Sequence, residues 1–85
     1  MTEFKYLITD PEGIHARPAG ELVKLAKTFA SDIKISGNEK VGDTKKIFSI
    51  MALCIKQGQE VTLSCDGTDE VEAAAALEGF FKENL

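Results

Sequence analysis

Hydrophobic and polar positions change period several times along the chain, and each change marks an element. Phe4, Tyr6 and Ile8 alternate with Lys5, Leu7 and Thr9. That two-residue period predicts a strand with one buried face. Asp10-Pro11-Glu12-Gly13 reads as a turn. A helix follows, with Pro18 tolerated only in its first turn, where a missing N–H costs nothing. Ala19, Leu22, Val23, Ala26, Phe29 and Ala30 recur at helical spacing, with Glu21, Lys24, Lys27 and Thr28 on the wet face. Alternation returns over Asp32–Ser36, Gly37-Asn38 predicts a turn, and Lys40-Val41-Gly42 a short return strand. Ile47, Ile50, Met51 and Cys54 mark a short second helix, with Gly58 as its expected stop. Val61, Leu63 and Cys65 alternate with Glu60, Thr62 and Ser64 as a fourth strand, and Asp66-Gly67 turns the chain. The last helix is expected to start near Asp69, with Glu72 completing a capping box. Its expected core residues are Val71, Ala74, Leu77 and Phe81. The run Ala73 to Ala76 adds helix propensity.

The order is β-α-β-β-α-β-α. Each helix has one apolar stripe and each strand one apolar face. The economical arrangement is α+β, a two-layer open-faced sandwich with three helices covering one face of a four-stranded antiparallel sheet. The 85 residues, 44% hydrophobic, suffice for one core, so residues 1–85 are expected to form a single domain. No repeat, linker or low-complexity tract interrupts them.

Charge removes one class of function. The formal net charge is -4, and nucleic-acid binding rests mainly on neutralising phosphates with Lys and Arg. The start, Met1-Thr2-Glu3-Phe4-Lys5, lacks the basic and apolar regions of a signal peptide. No stretch approaches the length of a membrane span. A cytoplasmic protein with no membrane insertion is expected. Cys54 and Cys65 sit in apolar patterns and are expected to be buried, reduced thiols. They form no CxxC, and a single histidine leaves a zinc site short of ligands, so no metal site is expected.

The chemistry converges on Gly13-Ile14-His15-Ala16-Arg17-Pro18-Ala19. His15 falls between the turn and the first turn of the helix. A helix start has unpaired N–H groups and a partial positive charge, so it attracts anions. Arg17 adds a permanent cation with a planar fork suited to phosphate oxygens. Neutral imidazole is a competent nucleophile, and an unperturbed histidine pKa of about 6.5 keeps that form available. A nucleophile beside an anion site suits phosphoryl transfer, where positioning and charge stabilisation dominate. A lone histidine at a helix start is also a common cap or solvated surface residue, and Arg17 a common solvated charge.

At this run the chain resembles the HPr family, the histidine-containing phosphocarriers of the phosphoenolpyruvate:sugar phosphotransferase system. The likeness extends to the element order, to Lys45 with Ile47-Phe48, and to Gly67 with Asp69-Glu70. The resemblance implies that His15 accepts phosphate from phosphorylated Enzyme I at Nδ1. It implies that Arg17 and the N–H groups of Ala16 and Arg17 hold the phosphoryl oxygens. His15 then passes the group to a sugar-specific IIA component. Such a carrier works through a phosphohistidine intermediate, needs no cofactor of its own and is not a stand-alone enzyme. The resemblance assigns the partner surface to Arg17, Gly20, Lys24, Lys27, Ile47, Phe48 and Met51. Phe48 is the expected exposed apolar contact, because one stripe cannot bury all the apolar residues of the second helix. A carrier that meets successive partners transiently is expected to be a monomer.

Two positions depart from the family pattern. Lys46 stands where many members carry a serine phosphorylated by a dedicated kinase, and a lysine cannot accept that modification. Cys54 stands where glycine is usual. The motif leaves open a paralogous relay, such as a nitrogen-related branch or a dihydroxyacetone kinase. It also leaves open a docking module that regulates partners without transfer.

Overall fold

A computed structural model describes residues 1–85. The elements are β1 (Thr2–Leu7), α1 (Ala16–Ala26), β2 (Asp32–Gly37), β3 (Lys40–Asp43), α2 (Ile47–Met51), β4 (Glu60–Asp66) and α3 (Glu70–Asn84). The strands make one antiparallel sheet in the order β1-β4-β2-β3. The three helices cover one face of it, as the pattern requires. β4 lies between β1 and β2, with Phe4 opposite Leu63 and Ile35 opposite Leu63 on its other side.

The core fills the space between sheet and helices. Ile33, Ile35, Val61, Leu63 and Cys65 face it from the sheet, and Ala19, Leu22, Ala26, Ile50, Leu77 and Phe81 from the helices. Phe81 stacks on Tyr6 with ring centroids 5.5 Å apart and meets Phe4 edge-on at 6.1 Å. These contacts pin α3 across β1.

Several local expectations are corrected. Phe29 and Ala30 lie past the end of α1, in turns. The β2–β3 turn is Asn38-Glu39 rather than Gly37-Asn38, and both its residues have positive φ (52° and 64°). That conformation matches the twist of a tight hairpin. α2 ends at Met51, well before Gly58. The chain leaves it through Cys54, which has φ 54°, is exposed, and occupies the left-handed conformation that glycine adopts freely. The Asn38 amide donates to the carbonyls of Leu53 (2.9 Å) and Cys54 (3.0 Å) beyond the helix end. Only Cys65 is the buried thiol expected, and burial pushes its pKa up. Val71 is exposed, and Ala73 takes an inward place instead.

The capping box does not form. The Asp69 side chain makes no cap bond to α3. It accepts the N–H of Ala30 (2.8 Å), the N–H of Ser31 (2.9 Å) and the Ser31 hydroxyl. Those three donors, the Ser31 hydroxyl foremost, hold the Asp69 carboxyl below its ordinary range. Asp69 thus ties the start of α3 to the segment that leads into β2.

Candidate functional site

The site is built on the connection between β1 and α1. The Gly13 N–H donates to the Asp10 carbonyl (2.9 Å), closing the expected turn. The Glu12 N–H donates to the Asp10 carboxylate (2.8 Å). Gly13 has φ 67°, and a Cβ there would lie 2.3 Å from the Ile55 carbonyl oxygen. The Ile14 N–H donates to that same carbonyl (3.1 Å), and the Ile14 side chain is buried. Two anchors against the Ile55 segment therefore precede His15 directly and fix its backbone.

His15 occupies the N-cap of α1 with extended backbone, and its carbonyl accepts the Ala19 N–H at 3.0 Å. Its side chain makes no cap bond and is about one-third exposed. The ring is thus not occupied as a cap. Ala16 and Arg17, both exposed, form the first helical positions, whose N–H groups have no partner within a helix. Pro18 is third, inside the first turn as expected, and buried. No acidic residue lies in that first turn to compete with an arriving anion.

Asp10, His15, Arg17, Pro18, Glu21 and Asn84 line an open depression of about 230 Å³. Asp10 and Asn84 come from opposite ends of the chain. Leu85 brings them together, because its carbonyl oxygen accepts the N–H groups of Thr9 (2.6 Å) and Asp10 (2.9 Å). The Nε2 atom of His15 lies 3.5 Å from a Glu12 carboxylate oxygen and 3.8 Å from one of Asp10. Sequence reading assigned Asp10 and Glu12 only to a turn. The available signal was a pair of carboxylates three and five residues before the histidine. The polar atoms of these three residues lie within 4.8 Å of one another.

The remaining site candidates lie on the α1–α2 side. Gly20 is half-buried, and its missing side chain leaves a gap where a Cβ would sit 3.9 Å from the end of Ile47. Lys24 and Lys27 are exposed. Ile47 and Met51 are half-buried against the core, whereas Phe48 is 85% exposed. Lys46, exposed, is the N-cap of α2 and makes no side-chain cap bond.

Comparison with known proteins agrees with this fold. The family described as "PTS HPr component phosphorylation site" matches residues 2–83. The phosphocarrier protein HPr of Mycoplasma capricolum is 47% identical over 77 residues, 91% of this chain and 86% of that protein. A solved mycoplasma histidine-containing phosphocarrier superposes with TM-score 0.94 at 43% identity, covering 96% of this chain and 93% of the other. An HPr dimer from Thermoanaerobacter tengcongensis is 38% identical with TM-score 0.77, covering 98% and 95%. No helix is long and apolar enough to cross a membrane. The chain belongs to the HPr family of phosphocarriers of the phosphotransferase system.

Proposed function

We propose that His15 receives the phosphoryl group of phosphorylated Enzyme I on Nδ1 and donates it to sugar-specific IIA components in the cytoplasm. The observation that carries this reading is the state of His15. It sits at the open start of α1 with its ring partly exposed and unused as a cap, beside Arg17. The Nδ1 lone pair attacks phosphorus, and the N–P bond of the donor breaks. The Arg17 fork and the N–H groups of Ala16 and Arg17 neutralise charge on the phosphoryl oxygens. The new N–P bond keeps a high transfer potential, so the group moves on without a cofactor.

The partner surface in this reading is Arg17, Gly20, Lys24, Lys27, Ile47, Phe48 and Met51. Exposed Phe48 supplies an apolar anchor, and the two lysines steer an acidic partner. With Lys46 in place of the family's serine, regulation by phosphoserine is absent from this reading. The working state is a monomer, since a carrier must expose this face to successive partners.

The test is an intact-mass spectrum after incubation with phosphoenolpyruvate and Enzyme I, with His15→Ala alongside. A single acid-labile phosphoryl adduct on the parent chain alone supports the reading. Absence of an adduct, with an Enzyme I active on another carrier, overturns it.

A further inference from the structure

The carboxylates of Glu12 and Asp10 converge on one nitrogen of the His15 ring, Nε2, and leave the other to a reacting phosphoryl group. The convergence is built into the fold. Glu12 and Asp10 share one tight turn, in which the Asp10 carboxylate also accepts the Glu12 N–H. Gly13 and Ile14 lock that turn to the Ile55 carbonyl. The ring and both carboxylates are therefore presented together by a rigid stretch of six residues.

We propose that Glu12 and Asp10 are positioning residues that hold the Nε2 proton of His15 and stabilise the charged ring produced by phosphorylation at Nδ1. The inference rests on His15 being the phosphoryl acceptor. With Nε2 carrying the proton, the lone pair belongs to Nδ1. That pair forms the new N–P bond, and the donor's N–P bond breaks with its electrons remaining on the donor. No proton leaves Nε2, so the acceptor ring becomes a phosphoimidazolium with positive charge shared by both nitrogens. The contacts of 3.5 and 3.8 Å are long for hydrogen bonds to a neutral ring. They tighten once the ring is charged, because a charge-assisted bond is shorter and stronger. On donation the N–P electrons return to Nδ1 and the ring becomes neutral again. A protonated ring is the better leaving group, so holding the Nε2 proton keeps the phosphorylated ring competent to donate.

Other groups facing the ring act in known directions. Arg17 and the α1 N-terminus oppose positive charge on the ring, while Glu21, across the depression, favours it. Asn84 is polar and uncharged. Removing Glu12 and Asp10 thus leaves the opposing groups in place and exposes their effect.

The experiment compares the parent protein with Glu12→Gln, Asp10→Asn and the double variant. Asparagine at position 10 retains an oxygen for the Glu12 N–H, so the turn persists. Each protein is phosphorylated with phosphoenolpyruvate and Enzyme I. The pH at which the phosphorylated ring loses its Nε2 proton is read by ¹⁵N NMR of the imidazole. Each single substitution is expected to lower that midpoint by about half a pH unit, the scale of a partly exposed charge pair. High salt, which screens exposed charges within a few ångströms, is expected to shrink the difference. Coincident midpoints in parent and Glu12→Gln, with both proteins carrying the adduct, overturn the inference and leave the carrier reading intact. A parent chain that takes no phosphoryl group removes both. Glu12 is exposed, so Glu12→Gln decides the matter even if the double variant does not fold.

Discussion

Gly13 shows how much one residue contributes to the site. Its φ of 67° and the 2.3 Å approach of a Cβ to the Ile55 carbonyl leave no room for a side chain. Gly13→Ala must shift the backbone two residues before His15. It is expected to cost at least about 2 kcal/mol, from backbone strain plus a steric clash, and to slow phosphorylation. Urea unfolding and a phosphorylation time course check both effects, and an unchanged unfolding midpoint would show that the turn relaxes freely. The exposed residues behave differently. Phe48 is 85% exposed, so Phe48→Ala is expected to change stability by less than about 0.5 kcal/mol. On the proposed partner surface it weakens phosphoryl transfer from Enzyme I, chiefly through KM. A stability loss of several kcal/mol with unchanged KM would assign Phe48 to the core instead.

At the scale of elements, the ends of helices carry the information. α1 opens with an N-cap residue that does not cap, which leaves His15 available for chemistry. α2 closes into a left-handed Cys54, a conformation that costs a non-glycine residue roughly 1–2 kcal/mol. Cys54→Gly is therefore expected to raise stability by about 1 kcal/mol, less the extra chain entropy of glycine. The exposed Cys54 side chain gives up little packing. Denaturant midpoints for the two proteins test this, and a lower midpoint in the glycine variant would mean that the added chain entropy of glycine outweighs the relieved strain. α3 opens with Asp69 turned away from its own helix toward Ser31.

At the scale of the molecule, that Asp69 contact couples stability to pH. Its carboxyl is depressed in the folded protein, as is that of Glu70, which accepts from the Thr2 hydroxyl (2.6 Å) and pairs with the Met1 ammonium (3.1 Å). A depressed carboxyl contributes stability above its unfolded pKa, near 4, and loses it as pH falls through the folded value. The protein is thus expected to weaken below about pH 4. Asp69→Asn should lower the urea midpoint at pH 7 and approach the parent at pH 3. Equal gaps at the two pH values would mean that shape rather than charge holds the junction. The core sets the larger scale. Phe81 is fully buried between Phe4, Tyr6 and Phe80, and Phe81→Ala is expected to cost about 3–5 kcal/mol by calorimetry or urea titration. α3 crosses β1 there and leads to Leu85, whose carbonyl oxygen holds Thr9 and Asp10. Loss of Phe81 should therefore loosen the turn that precedes His15 as well.

Periodicity in the sequence determined the layers and the element order, because burial of one face is imposed residue by residue along a strand or helix. The His15 motif was legible for the same local reason: turn, histidine, arginine and proline fall within one short run of the chain. Tertiary structure decided what depends on distant neighbours. Asp69 found Ser31, 38 residues away, in place of the N–H groups of its own helix. Cys54 faces outward past the end of α2, where the amide of Asn38 from the β2–β3 turn donates to the Leu53 and Cys54 carbonyls. Val71 gave up its inward place to Ala73, since the rotation of α3 follows its packing on β1. The approach of Asn84 to His15, through Leu85, also needed the folded chain. Side-chain direction and the meeting of chain ends are properties of packing, which no local pattern encodes.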